Sequence, residues 1–170
     1  YELLIDFIRY SKRTNFLLNL DGGGTFLKNF VECYIHNIKQ YKSPRSSQPV
    51  ILLLDNDKGP TGLLNYLKGQ SSKYPNCPNN VEDMRASKFI SVIDNLYIIL
   101  IPRIDDNNTE IEDFFDQSTR DIKVDDRTFD PSKEADTINT YSKNTFATKV
   151  IKEQKTNISF DLFKPILNRV

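Results

Sequence analysis

Histidine and cysteine are scarce in this chain, with one of the first, His36, and two of the second, Cys33 and Cys77, among 170 residues. A single histidine excludes a two-histidine mechanism, and two distant cysteines do not complete a zinc site around it. His36 falls in the middle of a helical pattern and reads as structural. The cysteines make no Cys-x-x-Cys pair, which argues against a disulfide framework and for a reducing, cytoplasmic compartment. Both read as buried or incidental thiols. Long apolar runs are missing as well. The longest, Leu96 to Ile101, suits a strand and falls well short of the roughly 20 residues that span a bilayer, so no membrane partner is expected. No basic segment followed by an apolar one opens the chain, so no signal peptide is expected.

Net charge is also absent, with 23 basic and 23 acidic residues. The balance hides an asymmetry, because residues 105–136 hold 12 acids against 4 bases and leave 19 bases against 11 acids elsewhere. The acidic stretch either is a solvated loop or meets phosphate only through intervening cations. What is present is an ordinary globular composition, 38% hydrophobic and 27% charged. The length fits one compact domain over 1–170, with a core to about residue 120 and a helical part from about 141. The chain opens at Tyr1 already in a helical pattern, so it is expected to be a fragment of a longer polypeptide.

The apolar pattern alternates between helix and strand. Leu3, Leu4, Phe7 and Ile8 have helical spacing, and Asn15 to Leu20 is an apolar run that closes on Asp21-Gly22-Gly23-Gly24. Helical spacing returns from Thr25 to Ile38, and a polar loop rich in Ser and Pro follows over 42–49. Val50-Ile-Leu-Leu-Leu54 is a continuous apolar run, expected to be a parallel strand buried on both faces. Pro60 suits the first turn of a helix that continues to Lys68. Residues 69–80 read as a mobile insertion. Lys88–Ile93 and Leu96–Ile101 flank a hairpin turn at Asp94-Asn95. Glu110–Asp116 reads as a short acidic helix capped by Thr109, 121–141 as mostly irregular, and Thr145–Glu153 and Phe160–Asn168 as closing helices. The fold class expected from this order is an α/β sandwich with a mainly parallel central sheet, with sites at the carboxyl ends of its strands.

Asp55-Asn56-Asp57-Lys58-Gly59 is the strongest candidate for chemistry. Carboxylates two residues apart at a strand end lie on one side of the backbone. Such a pair suits a hard cation with oxygen ligands, Mg²⁺ or Mn²⁺, that keeps waters and bridges to substrate phosphates. The alternative is a helix N-terminus decorated with acids for its dipole. An EF-hand is excluded, because Gly59 and Tyr66 stand where its fifth- and twelfth-position ligands belong. Gly22, Gly23 and Gly24 match neither a dinucleotide fingerprint nor a Walker loop. At a strand–helix junction they either bring backbone N–H groups to a phosphate or simply make a tight turn. Glu112, after the third apolar strand, is a candidate third metal ligand at the same edge of the sheet, and Lys143 or Lys149 a cation that offsets charge on a phosphate. Both have bland readings, as a first-turn acid and as solvated lysines.

Residues 15–64 resemble a Toprim domain, through the strand–Gly–helix junction at Leu20–Phe26 and the strand and aspartates of Val50–Gly62. Thr109-Glu-Ile-Glu-Asp-Phe-Phe115 and Ser142–Ala147 look like the branch found in overcoming-lysogenization-defect nucleases. The chain as a whole is similar to the carboxyl-terminal Toprim extension fused to retron reverse transcriptases. The resemblance implies a Rossmann-like fold and a Mg²⁺-dependent nuclease that acts as the toxic effector of an anti-phage retron. The implied partners are the reverse-transcriptase domain of the same polypeptide, the retron DNA–RNA hybrid and a nucleic-acid substrate, in an oligomer. Toprim domains also use a glutamate at the end of their first strand. Glu2 and Glu32 lie in helical patterns and substitute poorly, so that strand and its glutamate are expected upstream of Tyr1. Two alternatives remain: a non-catalytic Toprim-like interaction module, and a haloacid-dehalogenase-like phosphatase with Asp55 as nucleophile and Asp105-Asp106 as a later acidic pair.

Overall fold

The computed structural model describes residues 24–40, 42, 47–74, 76–132 and 138–170. The helical spacing at Leu3–Ile8 and the apolar run at Asn15–Leu20 lie outside the described residues. The chain divides into two compact units between Asn108 and Thr109.

The first unit is mixed α/β. Helix α1 spans Gly24–Ile38, strand β1 Val50–Leu54, helix α2 Thr61–Gly69, helix α3 Val81–Ala86, and strands β2 and β3 Ile90–Ile93 and Leu96–Leu100. The sheet order is β1-β3-β2. β1 pairs with β3 in parallel, Val50 opposite Leu96 and Leu54 opposite Leu100. β2 pairs with β3 antiparallel through the predicted hairpin, with an irregularity between Ser91 and Ile93. Asp94 takes the positive φ of 47° that the tight turn demands. The described strands of this sheet make one parallel and one antiparallel pair.

Leu52, Leu54, Ile98 and Leu100 form the centre of the core, against Val31 and Ile35 of α1 and Leu63, Leu64 and Leu67 of α2. The helical spacing of these residues is what the sequence announced. β1 differs from its expectation. Leu52 and Leu54 are buried but Leu53 is 44% exposed, so the strand is not covered on both faces. An unbroken apolar run records burial without recording on how many sides.

The segment 69–80 also departs from expectation. It carries a 3₁₀ turn at Ser71–Lys73, and Tyr74 and Cys77 enter the core at 6% and 5% exposure. Its Ser, Asn and Pro content shapes turns around two anchors rather than a loose insertion. α3 follows it unannounced. Asn80 caps α3, its side chain accepting from the Asp83 N–H at 2.8 Å.

The second unit contains a 3₁₀ turn at Ile111–Phe114, helix α4 at Gln117–Arg120, and strands β4 and β5 at Thr128–Phe129 and Thr140–Tyr141, paired in parallel. A helical run follows as α5 (Lys143–Thr145), a π turn (Phe146–Ile151) and α6 (Lys152–Gln154), and then α7 (Lys164–Leu167). Glu110, not Thr109, is the N-cap of the 3₁₀ turn; Thr109 is itself buried. The core is aromatic. Phe115 meets Phe146 edge-on at 5.4 Å, and Phe129 stacks on Phe146 at 4.3 Å.

Tyr74 provides a stability test. A buried aromatic truncated to alanine costs about 3 kcal/mol, whereas a side chain on a mobile insertion costs almost nothing. Tyr74→Ala is expected to lower the urea unfolding midpoint by the larger amount.

Candidate functional site

β1 ends where β3 ends, and the Ile101 N–H donates to the Leu54 carbonyl at 2.9 Å. Beyond that bond the burial alternation of the strand continues into the loop: Leu54 and Asn56 are buried, Asp55 and Asp57 half-buried. The two carboxylates therefore fall on the same side of the chain, as their spacing predicts. Asn56, between them, has no exposed surface at all. Its Nδ2 donates to the carbonyls of Ile101 at 3.0 Å and Arg85 at 3.1 Å, and its Oδ1 accepts from Arg85 Nη1 at 3.0 Å.

The loop then turns tightly into α2. Asp57 Oδ1 accepts from the Gly59 N–H at 2.8 Å. A Cβ at position 59 would stand 3.0 Å from that same oxygen, so any larger residue would make the Asp57 carboxylate give way by a few tenths of an ångström. Thr61 Oγ1 donates to the Lys58 carbonyl at 2.7 Å and accepts from Arg85 Nη2 at 3.2 Å.

The second polar group lies within the second unit. Lys143 Nζ stands 2.7 Å from Glu110 Oε2 and 3.4 Å from Glu112 Oε2. Glu112 is the more buried partner, its side chain 14% exposed against 35% for Glu110. The Lys143 charge faces the Glu112 Oε2. Burial alone would lower the Lys143 pKa, but the hydrogen bond to Glu110 and the charges of both glutamates raise it above the ordinary lysine value. Glu110, Glu112, Asp113, Asp121 and Arg120 line a cleft of about 190 Å³. That is smaller than the roughly 300–1,000 Å³ of typical small-molecule sites. Lys149 pairs instead with Glu153 on the surface, 3.1 Å away.

No family model matches the chain, and no solved structure does. The candidate site stands on its residues alone.

Among the described residues, no three His, Cys, Asp or Glu side chains are grouped to hold a metal ion. Mg²⁺ asks for less, since one or two carboxylates with waters and substrate oxygens suffice. Asp55 and Asp57 have the hard oxygen donors it requires, so they fit it. Of the glycine candidates, Gly24 opens α1, while Gly22 and Gly23 lie outside the described residues, as does Glu2. Glu32 sits within α1, 3.6 Å from Lys28 one turn away. His36 is exposed on the same helix beside Gln40. Asp105 and Asp106 are the positive-φ corners of a tight turn, at 50° and 58°, closed by the bridge Ile104–Asn107.

Sequence reasoning missed Asn56, Thr61 and above all Arg85. The signal for Arg85 was Asn80 followed three residues later by Asp83, an N-cap pattern that marks α3.

Lys143 offers a measurable coupling. A salt bridge to a half-exposed carboxylate is screened by water, whereas one to a buried carboxylate is not. Double-mutant cycles that combine Lys143→Met with Glu110→Gln or Glu112→Gln are expected to give the larger coupling for Glu112, although Glu110 is closer. Because the Lys143 pKa is raised on folding, its stabilisation is complete below the unfolded lysine value of about 10.4. It is lost as pH climbs through the folded value. The wild-type unfolding midpoint is expected to fall there more steeply than that of Lys143→Met.

Proposed function

We propose that this chain belongs to a Mg²⁺- or Mn²⁺-dependent nuclease, with a Toprim-like fold, that hydrolyses phosphodiesters of DNA or RNA. The observation that carries the reading is the Asp55–Asp57 pair, two half-buried acids spaced by one residue in a loop at the carboxyl end of a parallel strand. Strand ends of this kind are where α/β sheets bind ligands. Asp55 and Asp57 would hold the metal, whose contribution when bound is to polarise the phosphate and lower the pKa of a water. Their own task is to keep two charged oxygen donors oriented at a loop whose backbone is fixed by Asn56 and Gly59. The sequence also offers Glu112 as a further metal ligand and Lys143 as a cation for the phosphate; the two face each other at 3.4 Å within the second unit, and the proposal rests on Asp55 and Asp57. Gly22–Gly24 would offer backbone N–H groups to a phosphate.

The resemblance to retron-fused Toprim extensions extends the proposal. In it the protein is an oligomeric cytoplasmic effector of an anti-phage retron, restrained by its reverse-transcriptase domain and the DNA–RNA hybrid. Among the described residues no helix is long and apolar enough to cross a membrane.

The test is cleavage of DNA and RNA by the full-length protein with Mg²⁺ or Mn²⁺. Asp55→Ala and Asp57→Ala are each expected to lower the rate by at least about 100-fold, since even the groups that merely orient metal ligands are worth 10–100-fold. Cleavage that survives both substitutions overturns the reading. Turnover of a small phosphate ester, with covalent phosphate trapped on Asp55, would assign the chain to a phosphatase instead.

A further inference from the structure

Arg85 is a buried cation that the proposed chemistry does not use. It is 6% exposed, and among the described residues it makes no ion pair; its guanidinium donates to two neutral acceptors, Asn56 Oδ1 at 3.0 Å and Thr61 Oγ1 at 3.2 Å. A buried charge with neutral partners is expensive, and an apolar side chain of similar volume would fill the space at lower cost. What the guanidinium adds is a rigid planar fork with donors in fixed directions. One arm holds Asn56, the residue between the two aspartates. The other holds Thr61, where α2 begins. The fork thus grips both ends of the loop that carries Asp57 and Gly59. The Arg85 carbonyl closes the ring by accepting from Asn56 Nδ2 at 3.1 Å.

We propose that Arg85 is a positioning residue, which acts through Asn56 and Thr61 to fix the separation and direction of the Asp55 and Asp57 carboxylates for a divalent cation. The inference rests on the metal-site reading above. Two carboxylates repel each other, and a loop free to relax would let them part before a cation arrives. Asn56 shares this task with Arg85: the Ile101 and Arg85 carbonyls hold its amide nitrogen, and the guanidinium holds its amide oxygen and ties it to Thr61. Partners that orient ligands in this way are typically worth 10–100-fold in metal affinity.

The experiment is a Mn²⁺ titration of the full-length protein, followed by electron paramagnetic resonance, with the Mg²⁺ dependence of cleavage measured in parallel. Arg85→Met is expected to bind Mn²⁺ about 10–100-fold more weakly and to shift the cleavage curve to higher Mg²⁺, with kcat recovering at saturating metal. Arg85→Lys is expected to fall between wild type and Arg85→Met, because an ammonium supplies the charge without the fork. A purely structural Arg85 would lower the thermal midpoint and leave Mn²⁺ affinity alone. Mn²⁺ affinity within twofold of wild type in folded Arg85→Met therefore overturns the inference. Should Arg85→Met fail to fold by circular dichroism, Thr61→Val carries the test, since it removes one acceptor and keeps the cation; unchanged affinity there overturns the inference equally. Asp57→Ala separates the two levels. If it binds Mn²⁺ like wild type, the metal-site reading itself fails. If it loses Mn²⁺ while Arg85→Met does not, only the positioning role fails.

Discussion

The parallel pairing of β1 with β3 is the constraint on which the first unit depends. It sets Leu54 opposite Leu100 and brings both strands to an end at the same level. Past that level the regular β1–β3 ladder stops, and buried backbone groups must find other partners. The Asn56 side chain takes the Ile101 carbonyl, and Arg85 takes Asn56. Turning Asn56 inward leaves its two neighbours on the other side of the chain, because side-chain direction alternates along extended backbone. Core packing and the exposure of two carboxylates are thus consequences of one register.

The acidic stretch has a largely local explanation. Asp105-Asp106 and Asp125-Asp126 are the paired corners of two tight turns, all at positive φ and bridged at Ile104–Asn107 and Val124–Arg127. Aspartate tolerates the left-handed region because its short carboxylate can hydrogen-bond locally. Asp113 Oδ2 accepts from the Glu110 N–H at 2.8 Å. Asp116 caps α4, and hydrogen bonds from Thr119 and Ser118 hold its carboxyl below the usual range. Glu110 and Glu112 share Lys143. Much of the surplus of negative charge is therefore spent on turns, caps and one ion-pair cluster, with no phosphate needed to account for it.

Legibility in the sequence followed the length and regularity of each segment. α1, with seven apolar positions in helical phase, was read nearly to the residue, as were β1 and the β2–β3 hairpin. α3 escaped because six residues complete fewer than two turns and show no periodicity. The 69–80 segment misled because composition reports the polarity of most of its residues, whereas Tyr74 and Cys77 decide whether it is anchored. The π turn at Phe146–Ile151 left no readable mark, since Phe146 and Val150 keep an ordinary helical spacing while the hydrogen bonds shift.

The Asp55–Asp57 pair was determined by sequence alone. An apolar run that stops at two carboxylates spaced by one residue points both to the same side of the chain, because the period of a strand is two. What holds that pair was decided by tertiary structure. Arg85 is separated from Asn56 by 29 residues and from Thr61 by 24, and nothing in their types or spacing links it to them. A polar side chain shows in the sequence only that it needs partners. Which partners it finds depends on which strand ends and helix termini the fold brings within hydrogen-bond distance.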